Sequence, residues 1–147
     1  MPTSTPPAPT RTRWLWAGRI LSTLPVLFLA FDGIAKLARL PPVLEACAKL
    51  GYSENVAGPL GLTLLTCVVL YAVPRTSVLG AILLTGYLGG AVATHVRVGD
   101  PLFSHILFPT YVAALVWGGL YLRDARLGAL LPLRTIDLPN LSPSKEE

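Results

Sequence analysis

The chain has 147 residues, 52% of them apolar and only 14% charged, with a formal net charge of +4 and a mean hydropathy of +0.58. So few charges cannot cover a soluble helical domain of this size, and no basic stripe interleaved with aromatics is present, which excludes a nucleic-acid partner. The composition points to an all-α membrane protein whose positive charge sits on the flanks of its apolar segments.

The chain begins MPTSTPPAPT, rich in Pro, Thr and Ser, and residues 1–13 are expected to form a disordered tail. Residues 14–128 are expected to make the membrane domain, and residues 129–147 a cytoplasmic carboxy-terminal tail. Four apolar segments lie at about Trp16–Leu37, Pro59–Val73, Val78–Ala93 and Ile106–Leu122. A span needs about 20 mainly apolar residues, and the Thr, Gly and Tyr that interrupt three of these segments are tolerated in membrane helices. The fold expected is an antiparallel transmembrane four-helix bundle. Arg11 to Arg19 ahead of the first segment imitates a signal peptide, but Asp32 and Gly33 stand where a small-residue cleavage motif belongs, so the segment is expected to remain as an anchor.

Pro25 interrupts the first span, where Ser22 and Thr23 are placed to satisfy freed carbonyls. Asp32 follows a long apolar run, and an ionised carboxylate at that depth needs a partner or a proton. Lys36, one turn later, is that partner. The pair reads either as a structural clamp or as part of a proton-transfer or ligand site. Pro41 and Pro42 stop the first helix, and Val43 to Leu50 read as a short amphipathic helix between the first two spans, either a lid over the bundle end or a simple interfacial connection. Cys47 and Cys67 lack the spacing of a redox pair or a metal site and read as small hydrophobes.

Pro74 and Arg75 form a short turn into the third span, where Gly80, Gly86, Gly89 and Gly90 accumulate. The Gly86/Gly90 spacing suits close helix packing, and room for a ligand is the alternative explanation. Tyr87 reads as a packing residue or as a hydrogen-bond donor to a ligand. His95 and Arg97 close the third span and His105 opens the fourth, and the short turn between them sets the two imidazoles at similar depth. Histidine relays protons or ligates metals, but two histidines do not specify a metal. Arg97 either pairs with Asp100 and lipid head groups or holds a carboxylate, phosphate or quinone oxygen. Trp14, Trp16, Trp117 and Tyr121 suit interfacial anchoring, with burial between helices as the alternative for Trp117, and Gly118 and Gly119 allow tight packing of the fourth helix.

Arg11, Arg13, Arg19, Arg75, Arg123, Arg126, Arg134 and Lys145 fall on one side of four spans, against Lys36, Arg39, Lys49 and Arg97 on the other. The positive-inside rule then places both termini in the cytoplasm and Asp32, Lys36, His95, Arg97 and His105 at the outer end.

The segments GRILSTLPVLFLAFDGIAKL and YAVPRTSVLGAILLTGYLGGAVATHVRVGDPLFSHILFPTYVAALVWGGLYLRD, with the tail RLGALLPLR, resemble the DoxX-like family of small bacterial four-helix membrane proteins. The resemblance covers about Gly18 to Arg134 and is carried by Asp32, Gly33, Lys36, Pro74, Arg75, Thr76, Gly86, Tyr87, Gly89, Gly90, His95, Arg97 and His105. It implies a bacterial inner-membrane location and association with membrane oxidoreductases, with a quinone as a candidate ligand. Two functions follow as expectations. One is an accessory protein binding a quinone or lipid at an outer pocket, with Lys36, Tyr87 and Arg97 as ligand contacts. The other is a self-contained enzyme with Asp32, His95 and His105 as acid and base on a hydrophobic substrate. A transport or structural component is a third. The residues leave open the cofactor, a homo-oligomer and the identity of any oxidoreductase partner.

Overall fold

The computed structural model describes residues 10–124 and Leu127, and their regular structure is all helical, joined by short turns. Helix α1 spans Thr10–Leu37, α2 Pro41–Lys49, α3 Glu54–Ala72, α4 Ser77–Val98 and α5 Phe108–Arg123, with a short π-helical segment, Leu102–Ile106, leading into α5. Helices α1, α3, α4 and the Leu102–Arg123 stretch are long and apolar enough to cross a membrane. The expected terminal tails lie outside the described residues, except that Thr10–Arg13 form the first turn of α1. Arg126, Arg134 and Lys145 lie outside the described residues as well, as does the side chain of Trp14.

The four spans form a closed ring in which α1 packs on α3 and α5, and α4 packs on α3 and α5, each neighbour antiparallel. Short links enforce this order, and α2 folds over one end against α3 and α1. Spans carry large apolar side chains on their outer faces, including Ile20, Leu27, Phe31, Leu62, Val69 and Ile82, while Leu64, Leu84, Val116, Leu120 and Tyr71 fill the interior. Apolar side chains outside and inside are what a helix bundle solvated by lipid requires.

With no hydrophobic drive between helices in lipid, small residues decide where backbones meet. A Cβ on Gly80 would strike the backbone nitrogen of Tyr71 and lie 2.5 Å from its Cα, so α3 and α4 cross in near contact there. Gly119 lies against Ser22 and Gly18 against Leu122, fixing α1 on α5. Tyr71 ties this end together: its hydroxyl donates to the Val116 carbonyl (2.8 Å) and reaches Ser22 Oγ (3.1 Å), while Arg123 donates to its carbonyl and covers its ring at 4.8 Å. At the opposite end α1 and α3 meet this closely, where a Cβ on Gly61 would lie 2.7 Å from the carbonyl oxygen of Gly33. Close packing therefore holds at Gly80 and Gly119, but not at Gly86, Gly89 or Gly90, which have nothing within 4 Å of a built Cβ. Room, not contact, is what those three glycines provide.

Several local expectations are refined. Helix α1 runs through Pro25, with the Thr23 hydroxyl on the Arg19 carbonyl and the Ser22 hydroxyl taken up by Tyr71. Helix α4 continues to Val98, beyond the last apolar run, because polar side chains at His95 and Arg97 leave the backbone ladder intact. Trp117 donates to Thr85 Oγ1 (2.9 Å), joining α5 to α4 instead of acting only as an anchor.

Candidate functional site

Three helix ends at the α2 end of the bundle close by the same left-handed turn, and each folds the following residue back. Arg39 (φ 51°) ends α1 and returns Leu40 to the Ala35 carbonyl. Gly51 (φ 77°) ends α2 and returns Tyr52 to the Cys47 carbonyl (2.9 Å). Gly99 (φ 73°) ends α4 and returns the Asp100 amide to the His95 carbonyl (3.1 Å). These are Schellman-type caps, in which a residue at positive φ, glycine at two of the three ends, lets the next backbone N–H satisfy a carbonyl the helix leaves unpaired. They place Tyr52 and Asp100 beside the ends of α3 and α4.

A cavity of about 440 Å³ lies beneath α2, bounded by all four spans. Its wall includes Asp32 and Lys36 of α1, Tyr87, Thr94 and His95 of α4, and Tyr52 of the α2–α3 link; the remainder is largely apolar. Lys36 Nζ is ion-paired with the Asp32 carboxylate one turn earlier, as expected from their spacing, and both side chains are mostly buried. Gly61 makes this placement possible, since a Cβ there would lie 2.9 Å from that of Lys36. Tyr52 Oη and Thr94 Oγ1 are hydrogen-bonded at 2.8 Å, while the Tyr87 hydroxyl has no partner among the described residues.

His95 Nδ1 is 2.6 Å from Asp100 Oδ2, so the carboxylate accepts from Nδ1–H and leaves Nε2 as the second functional nitrogen. His105 stands edge-on to His95 with ring centroids 6.0 Å apart and is bonded to Ser104, bearing out the expected common depth. His105 does not line the cavity, and neither does Arg97. Arg97 does not pair with Asp100, which the Gly99 turn directs to His95; its guanidinium donates instead to the Leu50 carbonyl (2.7 Å) and secures the end of α2. Among the expected residues the structure thus brings Asp32, Lys36, Tyr87 and His95 to one cavity and sets Arg97 and His105 around it. Sequence reasoning missed Tyr52, Thr94 and Asp100 as members of this cluster; the signal for two of them was a glycine at a helix end with a polar side chain directly after it.

Cys47 and Cys67 are both buried free thiols. Cys47 forms part of the cavity wall. No group of three or more His, Cys, Asp or Glu side chains able to hold a metal occurs among the described residues.

The model of the DoxX-like family matches residues 20–119, more than half of the chain and every element that lines the cavity, and the protein belongs to that family. No curated protein and no solved structure matches it.

Proposed function

From that membership and this geometry, we propose that the protein binds a small lipophilic molecule with an oxygen-bearing head group, a quinone or a lipid, in the cavity under α2, as the accessory subunit of a membrane oxidoreductase system. The observation that carries the reading is an apolar cavity of ligand size with a polar cluster on its wall, inside a membrane protein. Lys36 has donors to spare beyond its bond to Asp32, and Tyr87 has a free hydroxyl; both suit a carbonyl or ester oxygen. The Asp32 partner keeps the pair neutral, so the cavity welcomes an uncharged head group. Reduction of a bound quinone consumes two electrons and two protons. His95 and Asp32 line the same cavity and would relay the two protons to the quinone's carbonyl oxygens, while the electrons come from the oxidoreductase partner, since the sequence carries no dinucleotide fingerprint or cysteine set.

Both termini lie in the cytoplasm in this reading, with the cavity at the outer face. The His95–Asp100 pair favours a second reading, a self-contained enzyme in which His95 and Asp32 act as acid and base on a lipophilic substrate.

The test is mass spectrometry, with an optical spectrum, of protein purified gently from its own membrane, comparing wild type with Asp32→Asn, His95→Ala and the double variant Asp32→Asn/Lys36→Met. A stoichiometric quinone or lipid in wild type, depleted in all three, is expected. The double variant removes the unpaired lysine, so a loss there reports on the ligand and not on a stranded charge. An identical lipid complement in all four proteins overturns the site.

A further inference from the structure

Three parts of the cavity wall differ in what covers them. From the end of the bundle the cavity is covered by the α2–α3 link, which two hydrogen bonds tie to α4: Arg97 to the Leu50 carbonyl and Tyr52 to Thr94. Between α1 and α5 the rings of Phe28 and Phe108 meet edge to face across the seam, with centroids 5.4 Å apart. The third is the stretch of α4 that carries Gly86 and Gly90. Gly86 and Gly90 both line the cavity there, both are exposed, and neither has an atom within 4 Å of a built Cβ. Glycine inside a helix is less favourable than alanine, and no helix contact accounts for these two.

Resting on the reading of the cavity as a lipophile site, we infer that its ligand is a long-chain amphiphile, entering sideways from the bilayer, whose single hydrocarbon chain leaves over Gly86 and Gly90. The head group sits among Lys36, Tyr87 and His95, and the chain passes through the glycine gap into lipid. Hydrocarbon beyond the gap never leaves an apolar medium. Its chain draws the molecule into the membrane next to the opening without needing contacts of its own.

The experiment measures equilibrium binding to purified protein in phosphatidylcholine nanodiscs, using a benzoquinone bearing one decyl chain, the same ring with a methyl in its place, and a lysophosphatidylcholine. Gly86→Leu and Gly90→Leu fill the gap. Gly89→Leu, on the same helix, equally exposed and outside the cavity wall, is the control. A Cβ at each of the three positions meets nothing within 4 Å, and thermal unfolding of each variant checks that the fold is retained.

The inference expects Gly90→Leu and Gly86→Leu to weaken the decyl probe by roughly tenfold or more, the scale of a misfit of one or two methylenes, with the methyl probe unchanged. Gly89→Leu should match wild type for both. If lysophosphatidylcholine binds in place of the quinone and shows the same dependence on Gly90, the gap stands and the head group is a lipid's. Undiminished decyl binding in Gly86→Leu and Gly90→Leu, or an equal loss in Gly89→Leu, overturns the gap while leaving the cavity reading intact. Failure of wild type to bind any of the probes overturns the cavity reading and the inference with it.

Discussion

Gly80→Ala isolates the contact that sets α3 against α4. The added methyl would lie 2.5 Å from Tyr71 Cα and 2.6 Å from the carbonyl carbon of Leu70, where ordinary contact begins at 3.4 Å. The obstructing atoms are backbone, so no side chain can swing aside, and the helices must separate by close to an ångström. Overpacking of this kind costs about 1–3 kcal/mol, and a backbone obstruction belongs in the upper half of that range. The usual gain from replacing glycine by alanine in a helix offsets little, because membrane helices stay largely helical when their tertiary packing is dissolved in dodecyl sulfate. The expected loss is about 2 kcal/mol, close to a thirtyfold change in the folding equilibrium. Unfolding by dodecyl sulfate in mixed micelles, followed by tryptophan fluorescence, measures it. Gly89→Ala is the reference, since its methyl meets nothing within 4 Å. If the two variants unfold within about 0.5 kcal/mol of each other, the α3–α4 crossing is not held by Gly80 and the account of the bundle's tight end is wrong.

Tyr71→Phe should cost about 1 kcal/mol in the same assay, through loss of the hydroxyl shared by Ser22 and the Val116 carbonyl, and Ser22→Ala should cost less in that background than in wild type. Asp100→Ala should lower ligand retention about tenfold while shifting stability by less than about 1 kcal/mol, as expected of a residue that positions His95; nitrogen NMR of the imidazole should show a changed tautomer balance, and Asp100→Asn should restore part of the binding. Unaltered imidazole signals in Asp100→Ala would remove that role. For topology, cysteines placed at Ser104 and Arg75, in a background with Cys47→Ala and Cys67→Ala, should differ in intact cells: the first reacts with an impermeant maleimide and the second only after permeabilisation. The reverse pattern would invert the protein in the membrane.

Hydropathy made the four spans legible because each must be apolar on every side that lipid or core touches. Asp32 and Lys36 were legible as a pair because both stand on one helix, where spacing alone fixes proximity. His95 and His105 were legible at one depth because the turn between them is too short for anything else. Partner choice was not. Arg97 and Asp100 are three residues apart with opposite charge, yet Gly99 adopts positive φ and sends the carboxylate back to His95, leaving Arg97 for the Leu50 carbonyl. Tyr52 and Leu50 reach the cavity because α2 folds over the bundle, and its amphipathic pattern left a lid and a simple interfacial connection both open. The glycines of α4 show the same limit. Gly80 and Gly86 look alike in a sequence, and only the positions of neighbouring helices separate a contact from an opening.

In the proposed reading, that separation puts the tight packing and the ligand cavity at different ends of the molecule. The close backbone approaches of α1 to α5 and of α3 to α4 gather around Tyr71, together with its hydrogen bonds and the Arg123 cation over its ring. The cavity lies at the opposite end, where α1 and α3 remain paired through Gly33 and Gly61 but α4 is not drawn equally close. A cavity forfeits dispersion contacts along its lining, and a bundle can carry that loss when its helices are already anchored elsewhere. It follows that Asp32→Asn/Lys36→Met should change ligand retention far more than unfolding by dodecyl sulfate, and that Gly80→Ala should do the opposite. A variant series in which the two readouts fall together would mean that one cooperative core, not two separable ends, underlies the fold.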